Sequence, residues 1–501
     1  MKEGFRQSMA WLHTWAGLIL GWILFAMFLT GTASYFKPEI SHWMQPELPA
    51  STVSHAVAAE NAVKYLRTAA PESARWFIQL PGREDALRVT WAKPAGGFEV
   101  RMLDPATGDA VTARETRGGN FFYRFHFELN MPPRTGRWVA GIAAMVMFVT
   151  IISGIITHRH FFKDFFTFRP RKAAQRSWLD GHNVLAVLAL PYHLIITYTG
   201  IVTLMFLYLP WGADVMYGGN RQALSAEIFS IPTTPPPAKQ PAQLTALGPV
   251  IAETNARWPG MPAGLITISA PNDVNAMIQM TRFSDDVVAH DRYTLQFHGV
   301  TGAFITELSN DKPVSQIRQV LYGLHLGRFG GYDVRGLLFF CGLMGTAMVG
   351  TGLVLWAIKR RQRAETRAAR FGVALVERLN VATVLGLPIA MAGFLLSNRL
   401  LPTIMANRAD MEVWIGFFGT WIVAALYALW RRPAETWQVL LVVATAIWAA
   451  VPLAGWLTTG LHAPGFDAAL LVVAGSFLLI WRKVASRQSA RAATLRPGVA
   501  E

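Results

Sequence analysis

Seven of the twelve histidines in this chain lie inside long apolar segments or within a few residues of their ends. An ionisable side chain at membrane depth is costly, so histidines in such positions indicate function. Neutral imidazole is a common axial ligand of haem iron, and two imidazoles suit one-electron transfer because they leave the iron no open position for a substrate. We therefore predict haem bound by members of this set, which comprises His13, His126, His158, His160, His182, His193 and His325.

The depths of these histidines predict more than one haem. His13 and His182 lie at one end of their segments, and His126 and His325 lie at the opposite end. In an unbroken helix, which rises about 1.5 Å per residue, His193 would lie about 16 Å deeper than His182. Ligands at two or three depths predict at least two haems stacked across the bilayer, an arrangement that would move electrons from one face to the other. The predicted axial ligands are His13, His126, His182, His193 and His325, with His158 as a further haem-binding residue.

The same histidines recur in two halves of the chain. The run "FHFELNMPPRTGRW" parallels "LHLGRFGGYDVRGL" and places His126 opposite His325. The pairs Thr30-Gly31 and Thr199-Gly200 align two earlier segments and place His13 opposite His182. Each half begins and ends on the same face, so the halves are parallel repeats. The symmetry favours His13 with His182 and His126 with His325, although His193 could displace one of these.

Simpler interpretations stay open for several of these residues. A single histidine near a segment end is commonly an interfacial residue or a helix cap, and in "THRHFFKD" either His158 or His160 could belong to a basic loop. His193 has no histidine at its own depth, so a methionine could be its partner, although methionine in such a helix more often packs. Four arginines could pair with haem propionates or equally with lipid headgroups; they are Arg134, Arg137, Arg328 and Arg335.

The elements that must position these residues are membrane-spanning helices. The chain is 52% hydrophobic and only 15% charged, whereas a soluble protein carries about 25% charged residues. Eight segments approach the roughly 20 apolar residues that a bilayer requires. The first is too long for a signal peptide and lacks a cleavage site, so we expect it to be retained. The segments lie near 11–35, 138–157, 183–210, 336–358, 373–396, 412–430, 437–457 and 467–481.

The net charge of +15 is a topology signal. Lysine and arginine concentrate on one side of the eight predicted spans, which is the positive-inside pattern and places both termini in the cytoplasm. This distribution argues against nucleic acid as a partner. The single cysteine, Cys341, excludes a disulfide within the chain and a thiolate-held cluster. The basic positions are Lys2, Arg6, 159–176, 359–370, Arg431, Arg432 and the residues from Arg482 onward.

Two polar stretches on the opposite side, the periplasm in a bacterium, have the same pattern. In each, a segment of helical periodicity precedes three alternating runs with Gly and Pro at the turns, which predicts a small α+β domain. The first contains "SHAVAAENAVKYLRTAA" followed by "ARWFIQLP", "ALRVTWAK" and "FEVRMLDPATGDAV". The second contains "LTALGPVIAETNARWPG" followed by "GLITISAP", "NAMIQMTRF" and "YTLQFHGVTGAFI".

The predicted fold class is a mainly α membrane protein with about eight transmembrane helices and two small α+β domains inserted in a duplicated core. In chain order we predict helix 1 at 1–35, domain 1 at 36–135, helix 2 at 136–160, a basic cytoplasmic loop at 161–177, helix 3 at 178–210, domain 2 at 211–330, helix 4 at 331–358, a second basic loop at 359–370, four additional helices at 371–484 and a cytoplasmic tail at 485–501.

Several of these motifs resemble one known family. "LHTWAGLILG", "GIITHRHFFKDFFTFRP", "DGHNVLAVLALPYHLIITYTG", "LYGLHLGRFGGYDVRG" and the strand-turn-strand "LDPATGDAV" are similar to the PepSY-associated transmembrane family, iron-regulated inner-membrane proteins that include ferric-siderophore reductases. The resemblance spans about residues 8–360. It implies two periplasmic PepSY domains, b-type haems held by histidines, and electron transfer to ferric iron in a siderophore. The family's histidines fall on His13, His126, His158, His182, His193 and His325, and the last four spans depart from its pattern.

The leading functional hypothesis is a haem-dependent reductase of a periplasmic ferric siderophore or other ferric chelate. No GxGxxG follows a strand and no cytoplasmic segment could form a flavin or nicotinamide domain, so quinol or a cytoplasmic protein would be the electron donor. One alternative is a siderophore or iron permease, which would need broken helices and paired polar residues at mid-membrane; the sequence suggests few of these. Another is a regulator whose PepSY domains bind a periplasmic protein. The aromatic-rich "GGNFFYRFHFEL" is our prediction for where electrons leave the chain.

Overall fold

The computed structural model describes most of the chain. The described residues are 4–82, 86–158, 174–220, 222–224, 228, 233–282, 287–289, 293–309, 312–461 and 463–494. The predictions for His160, for most of the basic loop at 161–177 and for residues 495–501 lie outside these ranges.

The described helices outnumber the spans, because several spans consist of two helices. In chain order they are α1 (Phe5–Ile19), α2 (Gly21–Ala33), a 3-10 turn (Ser34–Phe36), α3 (Lys37–Met44), α4 (His55–Ala69), α5 (Asn120–Glu128), α6 (Pro133–Thr157), α7 (Ala174–Leu188), α8 (Leu190–Thr203), α9 (Met205–Tyr208), α10 (Trp211–Tyr217), α11 (Leu247–Arg257), α12 (Pro313–Leu326), α13 (Tyr332–Arg361), α14 (Arg367–Val384), α15 (Gly386–Leu400), α16 (Arg408–Met411), a π-helix (Glu412–Gly419), α17 (Thr420–Trp430), α18 (Pro433–Thr459) and α19 (Pro464–Thr494).

The chain divides into two compact units, which we call the helical unit and the sheet unit. The helical unit comprises residues 1–44, 114–197 and 338–501, and the sheet unit comprises residues 45–113 and 198–337. The sheet unit contains seven strands: β1 (Arg75–Gln79), β2 (Leu87–Ala92), β3 (Phe98–Leu103), β4 (Ala263–Ser269), β5 (Met277–Arg282), β6 (Thr294–His298) and β7 (Phe304–Leu308).

The spans confirm a multi-pass membrane protein. Among the described residues, six helical segments are long and apolar enough to cross a membrane. Two further pairs of helices pass the same test although each pair is bent, and they raise the number to eight if each pair is one span. The six are Pro133–Thr157, Tyr332–Arg361, Arg367–Leu400, Arg408–Trp430, Pro433–Thr459 and Pro464–Ser486.

The first and third spans are both broken. Phe5–Ile19 meets Gly21–Met44 at 66°, and Gln175–Leu188 meets Leu190–Thr203 at 67°. The breaks fall at Leu20 and Ala189, each seven residues after His13 or His182, so the duplication preserves them. The second break is near Pro191, which has no N–H to donate to the preceding turn. The sequence predicted few broken helices apart from Pro191 beside His193, and the structure adds the break at Leu20, because average hydropathy does not register a bend.

The sheet unit corrects the picture of two separate α+β domains. Both predicted helices and all the predicted strands form, but the strands join one antiparallel sheet in the order β3-β2-β1-β4-β5-β6-β7. β1 of the first half pairs with β4 of the second, from Arg75 opposite Ser269 to Gln79 opposite Leu265. The last predicted strand of the second half is two strands, β6 and β7. α4 and α11 contribute to the core beneath this sheet, so the two halves share one hydrophobic core.

The last four spans pack against the duplicated core of the helical unit. Phe394, Phe417 and Trp448 belong to the same buried cluster as Phe25 and Trp43. Asp467, which is buried, accepts hydrogen bonds from the indole N–H groups of Trp43 at 2.9 Å and Trp456 at 2.8 Å. A buried carboxylate is tolerated only when its oxygens are hydrogen-bonded. These helices are therefore an integral part of the helical unit.

Candidate functional site

The helical unit brings together the two histidines that the sequence repeat aligned. The ring centres of His13 on α1 and His182 on α7 are 6.3 Å apart, and the ring planes meet at 74°. The two histidines occupy equivalent positions in the two halves, on the first and third spans. The structure thus brings the two aligned histidines together, with the edge of one ring toward the face of the other.

Each of these two rings is anchored through Nδ1 on a neighbouring span. Nδ1 of His13 lies 2.8 Å from the carbonyl oxygen of Thr150 on α6, and Nδ1 of His182 lies 2.9 Å from that of Met348 on α13. A carbonyl oxygen can only accept, so Nδ1 carries the proton and Nε2 keeps its lone pair. This is the tautomer that a metal-binding imidazole needs, with the outer nitrogen held by a backbone acceptor.

Glycines allow the rings to approach these spans. Gly154 lies one turn after Thr150, and a Cβ built on it would be 3.0 Å from Cε1 of His13. Gly352 lies one turn after Met348, and its Cβ would be 3.2 Å from Cε1 of His182. The same carbonyl-and-glycine arrangement therefore receives both histidines, and each half of the repeat supplies one copy.

His126 is held in the same way at another level of the helical unit. Its Nδ1 lies 2.7 Å from the carbonyl oxygen of Met27. A Cβ on Gly31, one turn later on α2, would be 2.6 Å from Nδ1. Three histidines thus share one arrangement: a backbone carbonyl accepts a hydrogen bond from Nδ1, and a glycine four residues later on the same helix lies against the ring.

His325 lies on α12 of the sheet unit and keeps part of this arrangement. Its Nδ1 is 3.2 Å from the hydroxyl oxygen of Thr199, and a Cβ on Gly200 would be 2.9 Å from Cε1 of His325. Thr199-Gly200 is the pair that aligns with Thr30-Gly31 in the sequence repeat. The glycine contact of His126 with Gly31 therefore has its counterpart in His325 with Gly200.

The spacing of His13 and His182 fits one iron between them. An imidazole nitrogen lies about 2.0–2.1 Å from a bound metal and about 1.1 Å from the centre of its own ring, so rings on opposite sides of one metal have centres about 6.2 Å apart. The observed separation is 6.3 Å. The described residues offer no hydrogen-bond partner to Nε2 of either ring. Both histidines could therefore serve as axial ligands of one haem.

His193 is buried differently from the other histidines. It is 1% exposed, and its ring lies near the backbone of Ala186 and of Cys341. The ring of Phe28 meets it edge-on with centres 6.1 Å apart, and a Cβ on Gly345 would be 3.2 Å from its Nε2. Because the span is bent at Ala189, the depth that an unbroken helix predicted does not apply.

The remaining predicted residues lie at span ends. His158 is the C-cap of α6, four residues beyond Gly154. Arg134 is exposed at the start of α6, and Arg328 is half-buried just after α12. Arg137 pairs with the buried Glu128 at 2.8 Å, so its charge is already matched by a carboxylate. Arg335 is buried, with its guanidinium 5.1 Å from the ring centre of Tyr332.

The aromatic-rich run before His126, where we predicted that electrons leave the chain, contains three buried rings. Phe121, Phe122 and Phe125 on α5 are each less than 5% exposed. They pack against the last four spans, with Phe121 centred 4.7 Å from Phe394 and Phe125 centred 5.1 Å from Phe417. These rings therefore anchor α5 on the last four spans.

The glycines were missed as site residues. The Thr-Gly pairs were used only to align the two halves, although Gly31 and Gly200 each contact a histidine ring. Gly154 follows His126 by 28 residues and Gly352 follows His325 by 27, and this near recurrence was the signal available in the sequence. A glycine that recurs opposite a histidine marks a close approach of that ring to the backbone.

Two comparisons with known proteins found similarity to this chain. The family model described as the PepSY-associated TM region matches residues 10–359, which is more than half of the chain. The chain is also similar to an uncharacterised protein of Pseudomonas aeruginosa, with 25% identity over 311 residues that cover 59% of this chain and 75% of that protein. The family model thus covers the duplicated core and its inserted domains and ends before the last four spans.

Proposed function

We propose, from the premise that this chain belongs to the PepSY-associated transmembrane family, that it is a haem-dependent oxidoreductase of the bacterial inner membrane. In this proposal it transfers electrons across the membrane and reduces a ferric siderophore, or a similar ferric chelate, in the periplasm. The observation that carries the proposal is the pair His13 and His182, with ring centres 6.3 Å apart and each Nδ1 anchored on a backbone carbonyl.

The residues that would hold b-type haem are the anchored histidines. His13 and His182 would hold one haem within the helical unit, and His126 and His325 stay predicted haem ligands, each within its own unit. When bound there, haem supplies one-electron transfer with no open position for substrate. The carbonyls of Thr150 and Met348 fix the tautomer and the orientation of the rings, which raises their basicity as ligands. Arg134 and Arg328 would lie near span ends, where they could pair with propionates.

The substrate in this proposal is ferric iron held by hard oxygen ligands. Each Fe(III) takes one electron and becomes Fe(II), which such ligands hold less tightly, so the iron is released. The electron comes from quinol, which gives two electrons and two protons, or from a protein donor at the cytoplasmic face. The basic end of α13, with Lys359, Arg360 and Arg361, favours that end as the cytoplasmic one. The sheet unit would then lie in the periplasm.

The visible spectrum of the purified protein tests this function. We expect sharp reduced α-bands of six-coordinate b-type haem, reduced in amplitude by His13→Ala and by His182→Ala. His298→Ala is the matched control, because His298 Nδ1 accepts the N–H of Val300 in a turn of the sheet unit. Adding ferric siderophore to the reduced protein should reoxidise the haem. A colourless protein would refute the proposal that the chain binds haem. A reduced protein that is not reoxidised by ferric siderophore would refute the proposed substrate.

The bent spans favour a second candidate, a permease for a siderophore or for iron. Broken helices that expose backbone groups near mid-membrane are typical of transporters. Here, both bends lie one to two turns from a histidine, and the hydroxyl groups of Tyr35 and Tyr192 meet at 3.1 Å beyond the breaks. Uptake of labelled ferric siderophore into proteoliposomes that contain no reductant would support the permease. Reduction without uptake would support the oxidoreductase.

A further inference from the structure

The four last spans carry no predicted haem ligand, yet they enclose the helix that bears His126. α5 presents Phe121, Phe122 and Phe125 to this part of the helical unit. Phe394 on α15 lies 4.7 Å from Phe121 and 5.4 Å from Phe122, between ring centres. Each of these contacts is an aromatic pair in the range where edge-to-face and offset packing is favourable.

The π-helix supplies the second half of this aromatic contact. Phe417 is fully buried and lies 4.9 Å from Phe121 and 5.1 Å from Phe125. A Cβ on Gly416 would be 2.2 Å from the hydroxyl of Ser397, so α15 and the π-helix touch at a residue that must be glycine. That close approach sets Phe394 and Phe417 side by side. The wide turn of a π-helix is uncommon and is frequently found at functional sites.

A buried ion pair holds the segment that leads into α5. Arg408 and Glu412 pair with both side chains fully buried. Arg408 also donates to the carbonyl oxygen of Glu115 at 2.8 Å, and the hydroxyl of Thr116 donates to Glu412 at 2.5 Å. Arg114 donates to the carbonyl oxygen of Asn398 at 2.9 Å. A buried ion pair is tolerated only when its remaining polar atoms are hydrogen-bonded. These hydrogen bonds therefore hold the segment 114–116 against the last four spans.

His126 lies on the same helix, one turn after Phe122. Nδ1 of His126 is 2.7 Å from the carbonyl oxygen of Met27, and the ring lies against Gly31 with no space for a Cβ. α5 therefore contacts both the last four spans and α2. A shift of α5 away from α2 would lengthen the bond from His126 to Met27 and turn the ring.

We propose that residues 394–417 of the added spans position α5 and thereby set the orientation of the His126 ring for ligation. Phe394 and Phe417 are positioning residues: they touch α5 and act on His126 through it. The inference rests on the proposed function in that it assigns His126 to a haem. The minimal family pattern lacks the last four spans. The proposal gives these spans a role in the function of the duplicated core.

Hydrogen exchange of the purified full-length protein tests the positioning. We expect Phe417→Leu and Phe394→Leu to increase amide exchange in α5 by at least tenfold and to leave exchange in α1, which carries His13, unchanged. Phe371→Leu is the matched control, because Phe371 is 70% exposed on α14. Thr116→Val, which removes the hydroxyl that donates to Glu412 and accepts the N–H of Gly118, replaces the phenylalanine variants if these do not fold. Unchanged exchange in α5, or an equal increase in α1, would overturn the proposal.

The spectrum of the same variants separates this proposal from the proposed function. With two haems bound, Phe417→Leu should broaden or shift the low-spin signal that His126→Ala abolishes, and it should leave the signal that depends on His13 and His182 in place. A shift of both signals, or of neither, would contradict positioning of His126. A protein that binds no haem refutes the proposed function, while hydrogen exchange in α5 still decides whether the added spans position that helix.

Discussion

Gly352 lies directly under the ring of His182. A Cβ on Gly352 would be 3.2 Å from Cε1 of that histidine, and the carbonyl of Met348, one turn earlier on the same helix, binds its Nδ1 at 2.9 Å. The same relationship joins Gly154 and Thr150 to His13. A backbone carbonyl sets the tautomer of the ring while a glycine sets its distance from the helix. The duplication therefore preserved the support of each histidine as well as the histidine itself.

Replacing Gly352 with valine should weaken haem binding by roughly 10- to 100-fold, the usual effect of disturbing a residue that orients a metal ligand. The branched side chain cannot fit beneath the ring, so His182 must move and lose its bond to Met348. Haem content per protein, measured in the reduced spectrum, should fall toward that of His182→Ala.

Gly475→Val is the control for that substitution. Gly475 also lies within a spanning helix, but a Cβ there meets no atom within 4 Å. It should lower helix stability slightly and keep the wild-type haem content. Equal loss of haem in both variants would mean that valine acts through the helices and not through the histidine.

Alanine at the same glycines should produce a graded response. The added Cβ would be 2.6 Å from the His126 ring at Gly31, 3.0 Å from the His13 ring at Gly154 and 3.2 Å from the His182 ring at Gly352. Contacts near 3.2 Å are relieved by small shifts, whereas 2.6 Å displaces the ring. Gly31→Ala should therefore lose low-spin signal while Gly352→Ala keeps most of it. An inverted order in the spectra would show that these rings are free to move.

Much of this arrangement could be predicted from the sequence. The histidines and the Thr-Gly pairs are polar or small residues in apolar segments, so their recurrence is visible, and the structure does place His13 against His182. The helical and alternating patterns of the sheet unit predict α4, α11 and their strands because each pattern reflects one buried face. These features are local, and local features are what residue spacing records.

Other parts depend on contacts between distant residues. Nothing in the alternation of β1 and β4 indicates that Trp76 pairs with Ile268 across 191 intervening residues, because both strands would be satisfied by any apolar neighbour. The breaks at Leu20 and Ala189 keep the hydropathy of a continuous span. The burial of Phe121 and Phe417 against each other likewise could not be read from a run of aromatic residues.

Removing the charge of Glu412 should destabilise the helical unit strongly. Its partner Arg408 is fully buried, and breaking a buried pair on one side typically costs about 3–5 kcal/mol. Glu412→Gln should therefore lower the midpoint of thermal unfolding in detergent by many degrees. The comparison is Asp410→Asn, which breaks the pair of Arg117 and Asp410, both about half exposed. That exposed pair contributes about 1 kcal/mol or less, and a similar loss in the two variants would contradict the burial of Arg408.

Asp273 should make the sheet unit sensitive to acid. The backbone N–H of Asn275, together with those of Ala238, Lys239 and Gln240, holds the pKa of this carboxyl below its usual range. A lowered pKa in the folded state means that the ionised form stabilises the fold, and this contribution is complete above the unfolded pKa of about 3.9. It is lost as the pH falls through the folded pKa, because the proton then displaces the hydrogen bonds at Oδ1 and Oδ2. The wild-type chain should therefore lose stability as the pH falls below about 4 more steeply than Asp273→Asn, when unfolding in urea is followed by tryptophan fluorescence. Asp109→Asn, at an exposed turn, should keep the wild-type pH dependence. If Asp273→Asn unfolds with the same dependence as the wild type, the four N–H groups do not hold a carboxylate in solution.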